Sequence, residues 1–155
     1  MINTGSMFSH IECTSCKKIF SKDEILKLCP VDNCGKVLFP KYDLNIEKSR
    51  KYIDDLKNRE PNMWRYKEFL PVNYEENIIS LGEGFTPILD AKNLAYDIGI
   101  KKLLIKDESL NPTSSFKARG LSAAVSKAKE LGIKKFSIPT AGNAGGALSA
   151  YAAKG

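Results

Sequence analysis

The chain has 155 residues, 43% of them hydrophobic and 27% charged, which fits about one globular domain and excludes a disordered or low-complexity chain. No apolar run approaches the ~20 residues of a membrane span, and the opening "MINTGSMFSH" lacks the apolar centre of a signal peptide, which points to the cytoplasm. The formal charge of +6 could serve an anionic ligand, but the lysines are spread along the chain without a dense basic block, which argues against nucleic acid.

Residues 1–44 hold all four cysteines, Cys13, Cys16, Cys29 and Cys34, among short β-like pieces such as "VLFP". In a secreted chain they would read as two disulfides; without a signal peptide a metal site is the better reading. Two residues separate Cys13 from Cys16 and four separate Cys29 from Cys34. Each pair can wrap one side of a tetrahedral ion, and both together complete a four-thiolate zinc site. Gly35 suits the sharp turn of a knuckle. With every position filled by protein, the zinc would be structural and folding would depend on it. Four reduced, buried cysteines are the plainer reading, and a ribbon of this kind could also bind nucleic acid or a partner protein.

Residues 45–80 form a polar connecting region. "NIEKSRKYIDDLKNRE" predicts a helix stopped by Pro61, with Ile46, Ile53 and Leu56 as a narrow packing stripe. "MWRYKEFLPV" concentrates Met63, Trp64, Tyr66, Phe69 and Leu70 and reads as core anchoring.

Residues 81–155 alternate strand and helix. "EGFTPILD" enters a short extended piece, "AKNLAYDIG" is a short helix closed by Gly99, and "KKLLIKDE" is a strand. "SSFKARGLSAAVSKAKELG" is a helix whose Leu121, Ala124, Val125, Ala128 and Leu131 recur at helical spacing, with Gly132 as its stop. "KKFSIPT" reads as the next strand, and "GNAGGALSAYAAKG" opens an Ala-rich helix. This order predicts βαβ units on a parallel sheet. Two strands after residue 100 make that sheet incomplete, so the chain reads as the front portion of a larger protein.

Two strand-to-helix junctions carry the chemistry. "NPTSSFKARG" sets Lys117 in the first turn of a helix, where the dipole disfavours a cation. A neutral amine can attack a carbonyl and form a Schiff base; an indifferent surface lysine is the bland alternative. "PTAGNAGGALSAYA" places Gly142, Gly145 and Gly146 around Asn143, where backbone amides can approach an anion. On a parallel sheet both junctions face one edge, so amine, amide and anion-binding N–H groups could meet on one small molecule.

"LGEGFTPIL", "IKDESLNPTSSFKARG" and "PTAGNAGGALSAYAA" resemble the threonine synthase family, within the tryptophan-synthase-β-like (fold type II) pyridoxal-phosphate enzymes. The amino-terminal ribbon and "MWRYKEFLPV" resemble that family's zinc-ribbon-bearing branch. The resemblance implies an α/β, three-layer parallel-sheet fold, incomplete here and preceded by a small zinc-ribbon-like β segment. It implies that Lys117 is the Schiff-base lysine for pyridoxal 5'-phosphate and the base that moves substrate protons. It further implies that Asn143 holds the cofactor's 3' oxygen and that Thr140, Ala141, Gly142 and Ala144 frame the substrate carboxylate. The implied reaction converts O-phospho-L-homoserine and water to L-threonine and phosphate, with an amino acid as the small-molecule partner and a homodimer left open for the complete enzyme. Many relatives carry aspartate at Ala118, a change expected to be structural, and many carry hydroxyl residues at the two positions of Ala141 and Ala144, where alanine removes donors that help hold substrate. Those departures keep a serine/threonine dehydratase or a cysteate synthase in view as other substrate classes, and a zinc-ribbon binding module with a non-catalytic α/β remnant as another kind of protein. The family's phosphate-binding glycine loop lies beyond residue 155, so residues 1–155 alone are expected to hold the cofactor weakly and to be inactive.

Overall fold

The computed structural model describes residues 1–44 and 46–155, with the side chains of 46–49 and 51 outside that description. The amino-terminal ribbon is a three-stranded antiparallel sheet in the order β2-β1-β3, built from β1 (Phe8–Cys13), β2 (Ile19–Ser21) and β3 (Leu38–Tyr42). Glu12 of β1 stands between Ile19 and Phe39 on the two flanking strands. Two turns interrupt the strands, and both use left-handed backbone beside a cysteine: Lys17 at φ 62°, Asn33 at φ 61° and Gly35 at φ 56°.

The ribbon is tied to the rest of the chain. The Thr4 hydroxyl donates to the Val72 carbonyl at 2.6 Å and Ser6 to Leu70 at 2.6 Å, while the Met7 N–H reaches the Glu68 carbonyl at 2.8 Å. On the far side Lys127 pairs with Asp23 of the ribbon at 3.3 Å and lies 5.7 Å from the Phe8 ring centroid. Its neighbour Glu130 accepts the Asn73 N–H at 2.7 Å. A module built only to bind outside partners has no need of these ties.

Helix α1 (Ile46–Asp55) runs into a 3-10 turn, Leu56–Asn58. The expected packing stripe is not formed as read: Ile53 is 58% exposed and Leu56 half-buried, and the side chain of Ile46 lies outside the described residues. What anchors this region is polar. The Arg59 guanidinium grips the buried Glu68 carboxylate through two bonds of 2.8 Å and also takes Asp55 at 2.9 Å. In "MWRYKEFLPV" Trp64, Glu68 and Val72 are deeply buried, while Tyr66 is exposed. Asn62 caps this 3-10 segment (Met63–Phe69) by accepting the Trp64 N–H at 2.8 Å.

The remaining elements are β4 (Ile88–Asp90), α2 (Lys92–Asp97), β5 (Leu104–Lys106), α3 (Lys117–Glu130) and α4 (Asn143–Lys154). Gly99 at φ 71° and Gly132 at φ 73° end α2 and α3. In each case the next N–H bonds back five residues, Ile100 to Ala95 at 3.0 Å and Ile133 to Ala128 at 2.9 Å, which is the Schellman closure that their positions predict. Beyond these stops no parallel pairing is present among the described residues. β4 and β5 pair antiparallel, and "KKFSIPT" forms no helix or strand and joins no ladder among the described residues. A parallel-sheet strand needs neighbours on its edges and cover on both faces; Phe136 is 39% and Ile138 36% exposed, and neither cover nor neighbour is supplied.

The core sits between α3, α4 and the segment before β4. Ile79, Ala118, Val125 and Tyr151 are buried together, flanked by Leu81, Leu121 and Leu148. Of the expected α3 stripe, Val125 and Ala128 are buried but Ala124 is exposed. Two serines take inner positions instead: the Ser122 hydroxyl oxygen lies 2.8 Å from the Ile79 carbonyl oxygen and Ser126 accepts the Ile79 N–H at 2.8 Å. Val125 and Lys129 of α3 and Ala152 of α4 line one cavity of about 350 Å³. Among the described residues no helix is long and apolar enough to cross a membrane.

Glu83 is the hub of this core. Its carboxylate is wholly buried and accepts from Trp64 Nε1 at 2.9 Å, the Leu81 N–H at 2.9 Å, Tyr151 Oη at 2.8 Å and the Ser122 and Ser80 hydroxyls. Burial, reinforced by the Glu83 carboxylate, pushes the Tyr151 phenol well above its usual range. Replacing Glu83 by alanine orphans several buried donors at about 1–3 kcal/mol each, so a loss of about 3 kcal/mol or more is expected in urea unfolding. Tyr151→Phe removes one donor and should cost about 1 kcal/mol. Equal losses for the two variants would argue against Glu83 as the hub.

Candidate functional site: a lysine helix, an open glycine turn and a four-thiol cluster

Lys117 is the first residue of α3. Phe116 holds the N-cap position without a side-chain cap bond, and the Lys117 amine lies 4.3 Å from the Phe116 ring centroid. Among the described residues no carboxylate pairs with this amine. The loop before it is strained and underused. Ser114 holds φ 54°, a region costly for a residue with a Cβ. The hydroxyls of Thr113 and Ser115 are buried with no partner.

The loop's ends are held by Glu108. Its carboxylate takes Arg119 in a bidentate pair, with both bonds at 2.7 Å, and also accepts Thr86 Oγ1 at 2.6 Å and Asn111 Nδ2 at 3.0 Å. The Asn111 amide oxygen in turn accepts the Gly84 N–H at 3.0 Å. Gly84 must be glycine: its φ is +96° and a Cβ there would stand 2.7 Å from the Met63 backbone nitrogen. The Arg119 guanidinium, helped by Thr86 and Asn111, holds the Glu108 carboxyl at about 2, below its ordinary 4.5. A folded value below the unfolded one means that this contribution to stability is complete above about pH 4.5. It fades as pH falls towards 2. The stability gap between wild type and Glu108→Gln should therefore be full above about pH 4.5 and close as pH falls towards 2, and a gap that does not change with pH would contradict it.

The second junction opens α4. Gly142, at φ 137°, is its N-cap. Thr140 Oγ1 accepts the N–H groups of Gly142 and Gly145, each at 3.0 Å, in the manner of a capping hydroxyl. Among the described residues the N–H groups of Asn143 and Ala144 have no acceptor. Thr140, Ala141, Gly142 and Asn143 are exposed and Ala144 is half-buried. A Cβ on Gly145 would come 2.8 Å from Thr140 Cγ2, so Gly145→Ala must turn Thr140 away from its two N–H partners. Thr140→Ala removes the accepting hydroxyl directly and should cost about 1 kcal/mol, the usual worth of a lost cap; a neutral result in thermal melting would show that Thr140 does not hold this turn. No hydrogen bond joins Lys117 to Asn143 among the described residues.

The four cysteine sulfurs lie within 4.8 Å of one another. Cys13 and Cys34 are 3.6 Å apart at Sγ, as are Cys16 and Cys29. A disulfide requires about 2.05 Å, whereas two thiolates on one zinc at about 2.3 Å stand about 3.8 Å apart on a tetrahedral edge. Donor type, number and spacing therefore fit a zinc ion. Burial opposes charge on Cys13, yet the N–H groups of Ser15 and Cys16 with the neighbouring thiols draw it down to about 6. Burial pushes Cys29 up to about 12.

Sequence reasoning singled out Lys117, Asn143 and the cysteines but passed over Glu83, Glu108 and Asn111. Glu83 lies inside the quoted "LGEGFTPIL", and Glu108 and Asn111 inside "IKDESLNPTSSFKARG"; a carboxylate between two glycines was the available signal.

A family model described as pyridoxal-phosphate dependent enzyme matches residues 79–155. The threonine synthase of Methanocaldococcus jannaschii is 41% identical over 142 residues, covering 92% of this chain and 34% of the relative. That of Methanosarcina acetivorans is 39% identical over 145 residues, covering 94% and 34%, and that of Halalkalibacterium halodurans is 44% identical over 98 residues, covering 60% and 27%. The chain thus spans about a third of the length of the two archaeal relatives, at 34% of each. No solved structure matches it. Through residues 79–155, which carry both the lysine helix and the glycine turn, the chain belongs to the pyridoxal-phosphate-dependent enzyme family.

Proposed function

We propose that this chain is the ribbon-bearing, lysine-bearing part of a threonine synthase, acting on O-phospho-L-homoserine and water to give L-threonine and phosphate. In this reading residues 1–44 are a structural zinc ribbon, 45–80 a connecting region, and 81–155 the first part of a three-layer catalytic domain in the cytoplasm. The observation that carries it is Lys117, an amine free of carboxylates at the start of α3, in a chain 41% identical to a threonine synthase over 142 residues.

The residues present fit the cofactor. Two buried hydroxyls without partners, Thr113 and Ser115, lie just before Lys117, and two N–H groups without acceptors open α4. Pyridoxal phosphate, when bound, supplies an electron sink for charge developing at the substrate's α carbon. Lys117 would hold its aldehyde carbon and, once displaced by the substrate amine, move protons at the α and β carbons. Asn143 would hold the ring oxygen. The open N–H groups of Asn143 and Ala144, with the turn at Thr140, Ala141 and Gly142, would orient the substrate carboxylate at a helix N-terminus. Water enters as the second reactant.

Ala141 and Ala144 offer no side-chain hydroxyl, which favours keeping a dehydratase or cysteate synthase as the second reading. Incubating the intact protein with O-phospho-L-homoserine and assaying phosphate and threonine tests the proposal. Keto-acid formation from threonine or serine, without phosphate release, would move the assignment to a dehydratase.

A further inference from the structure

We propose that Glu108 is a positioning residue: its carboxylate clasps both ends of the loop from Asn111 to Arg119 and so fixes where the Lys117 amine stands. The inference rests on the reading of Lys117 as the cofactor lysine. Glu108 touches neither Lys117 nor the α4 turn, so its action passes through the loop.

Four features make the clasp specific. The Arg119 end is held by two bonds of 2.7 Å in fork geometry, which fixes direction as well as distance. The Asn111 end is held twice, by the Glu108 carboxylate at 3.0 Å and by the Glu108 carbonyl at 2.9 Å. Asn111 is 4% exposed, so water cannot readily replace those bonds. Thr86 and Gly84 of the preceding loop close the arrangement, through Glu108 at 2.6 Å and Asn111 at 3.0 Å. Between the two held ends, Ser114 keeps φ 54°. A strained residue persists only where its surroundings hold it; with the clasp open, Ser114 can relax and carry the first turn of α3 with it. Lys117 lies two residues from Arg119, inside that turn.

A second carboxylate–arginine pair serves as the control. Arg59 and Glu68 form an equally close fork, at 2.8 Å and 2.8 Å, more deeply buried and outside the lysine loop. A merely structural role predicts that both pairs behave alike.

The test compares Glu108→Gln, Glu108→Asp and Glu68→Gln in the intact protein. Three readouts are the rate of pyridoxal phosphate capture at Lys117 by borohydride trapping and peptide mapping, the labelling rate of Lys117 by an amine-reactive sulfonate, and the split between kcat and KM. For Glu108→Gln, capture and kcat should fall on the order of ten- to a hundred-fold, as expected for a displaced reacting group, with a smaller change in KM. Amine labelling should change in step. Glu108→Asp should recover part of the loss, and Glu68→Gln should lower the melting temperature while leaving capture unchanged. Wild-type capture by Glu108→Gln, or equal slowing in Glu108→Gln and Glu68→Gln, overturns the proposal. If Glu108→Gln does not fold, Thr86→Val opens one bond of the clasp; slower labelling of Lys117 supports the proposal, and an unchanged rate overturns it. Wild-type protein that takes no cofactor at Lys117 would sink the proposed function instead, and the labelling rates would still decide on Glu108.

Discussion

Lys117→Ala is expected to abolish covalent capture of pyridoxal phosphate and to lower threonine synthesis by the intact protein on the order of 10³-fold or more, because nucleophile and proton carrier go together. The fold should survive. Alanine is a better helix former than lysine, the side chain makes no ion pair among the described residues, and its one neighbour of note is the Phe116 ring at 4.3 Å. Thermal melting should therefore match wild type, which separates lost chemistry from lost structure. Lys117→Arg sharpens the comparison, since it keeps the charge without a usable nucleophile and should be equally inactive. Asn143→Ala should behave differently. On the proposed reading it removes one neutral hydrogen bond to the cofactor, worth roughly 0.5–1.5 kcal/mol, so activity should fall about tenfold while capture at Lys117 persists. Cofactor attachment surviving Lys117→Ala would end the enzyme reading.

Most of the elements were legible because their signals are local. The glycines closing α2 and α3 mark turns that only a left-handed residue completes, and the structure closes them with Schellman bonds at Gly99 and Gly132. Cysteine spacing is equally local, and the four sulfurs do come together. What was not legible depends on partners distant in sequence. "KKFSIPT" has strand composition, but a ladder needs a neighbour, and the described residues provide none. Ile53 sat on a plausible stripe, yet polar clamps such as Arg59–Glu68 anchor the region instead. Ser122 and Ser126 look like surface positions until Ile79 and Glu83 are placed opposite them. The site shows the same division. Lys117 and Asn143 stand out by motif, while Glu108 acquires meaning only when Thr86, Asn111 and Arg119 meet on its carboxylate.

Removing the metal should unfold the ribbon while leaving the α3–α4 core in place. The ribbon has little apolar material of its own. Its strands run for 6, 3 and 5 residues, and Ile19, Val37 and Phe39 are each more than half exposed, at 58%, 54% and 57%. A sheet this small does not support itself by burial. Four thiolates on one zinc supply an apparent ~10–16 kcal/mol in ribbons of this size, more than enough to decide the balance. The core of Ile79, Ala118, Val125 and Tyr151 draws on none of those ligands. A strong chelator should therefore erase hydrogen-exchange protection across residues 8–42. Protection in α3 should fall only in part, through the lost ties from Thr4 to Val72 and from Asp23 to Lys127. Cys29→Ser should reproduce the effect without chelator, and wild-type protein should carry one equivalent of zinc by atomic spectroscopy. Since the ligands bind as thiolates, zinc affinity should weaken as pH falls. A ribbon that keeps its protection after complete metal removal, but loses it to a reducing agent, would make the cysteines disulfides; sulfur separations of 3.6 Å stand against that outcome.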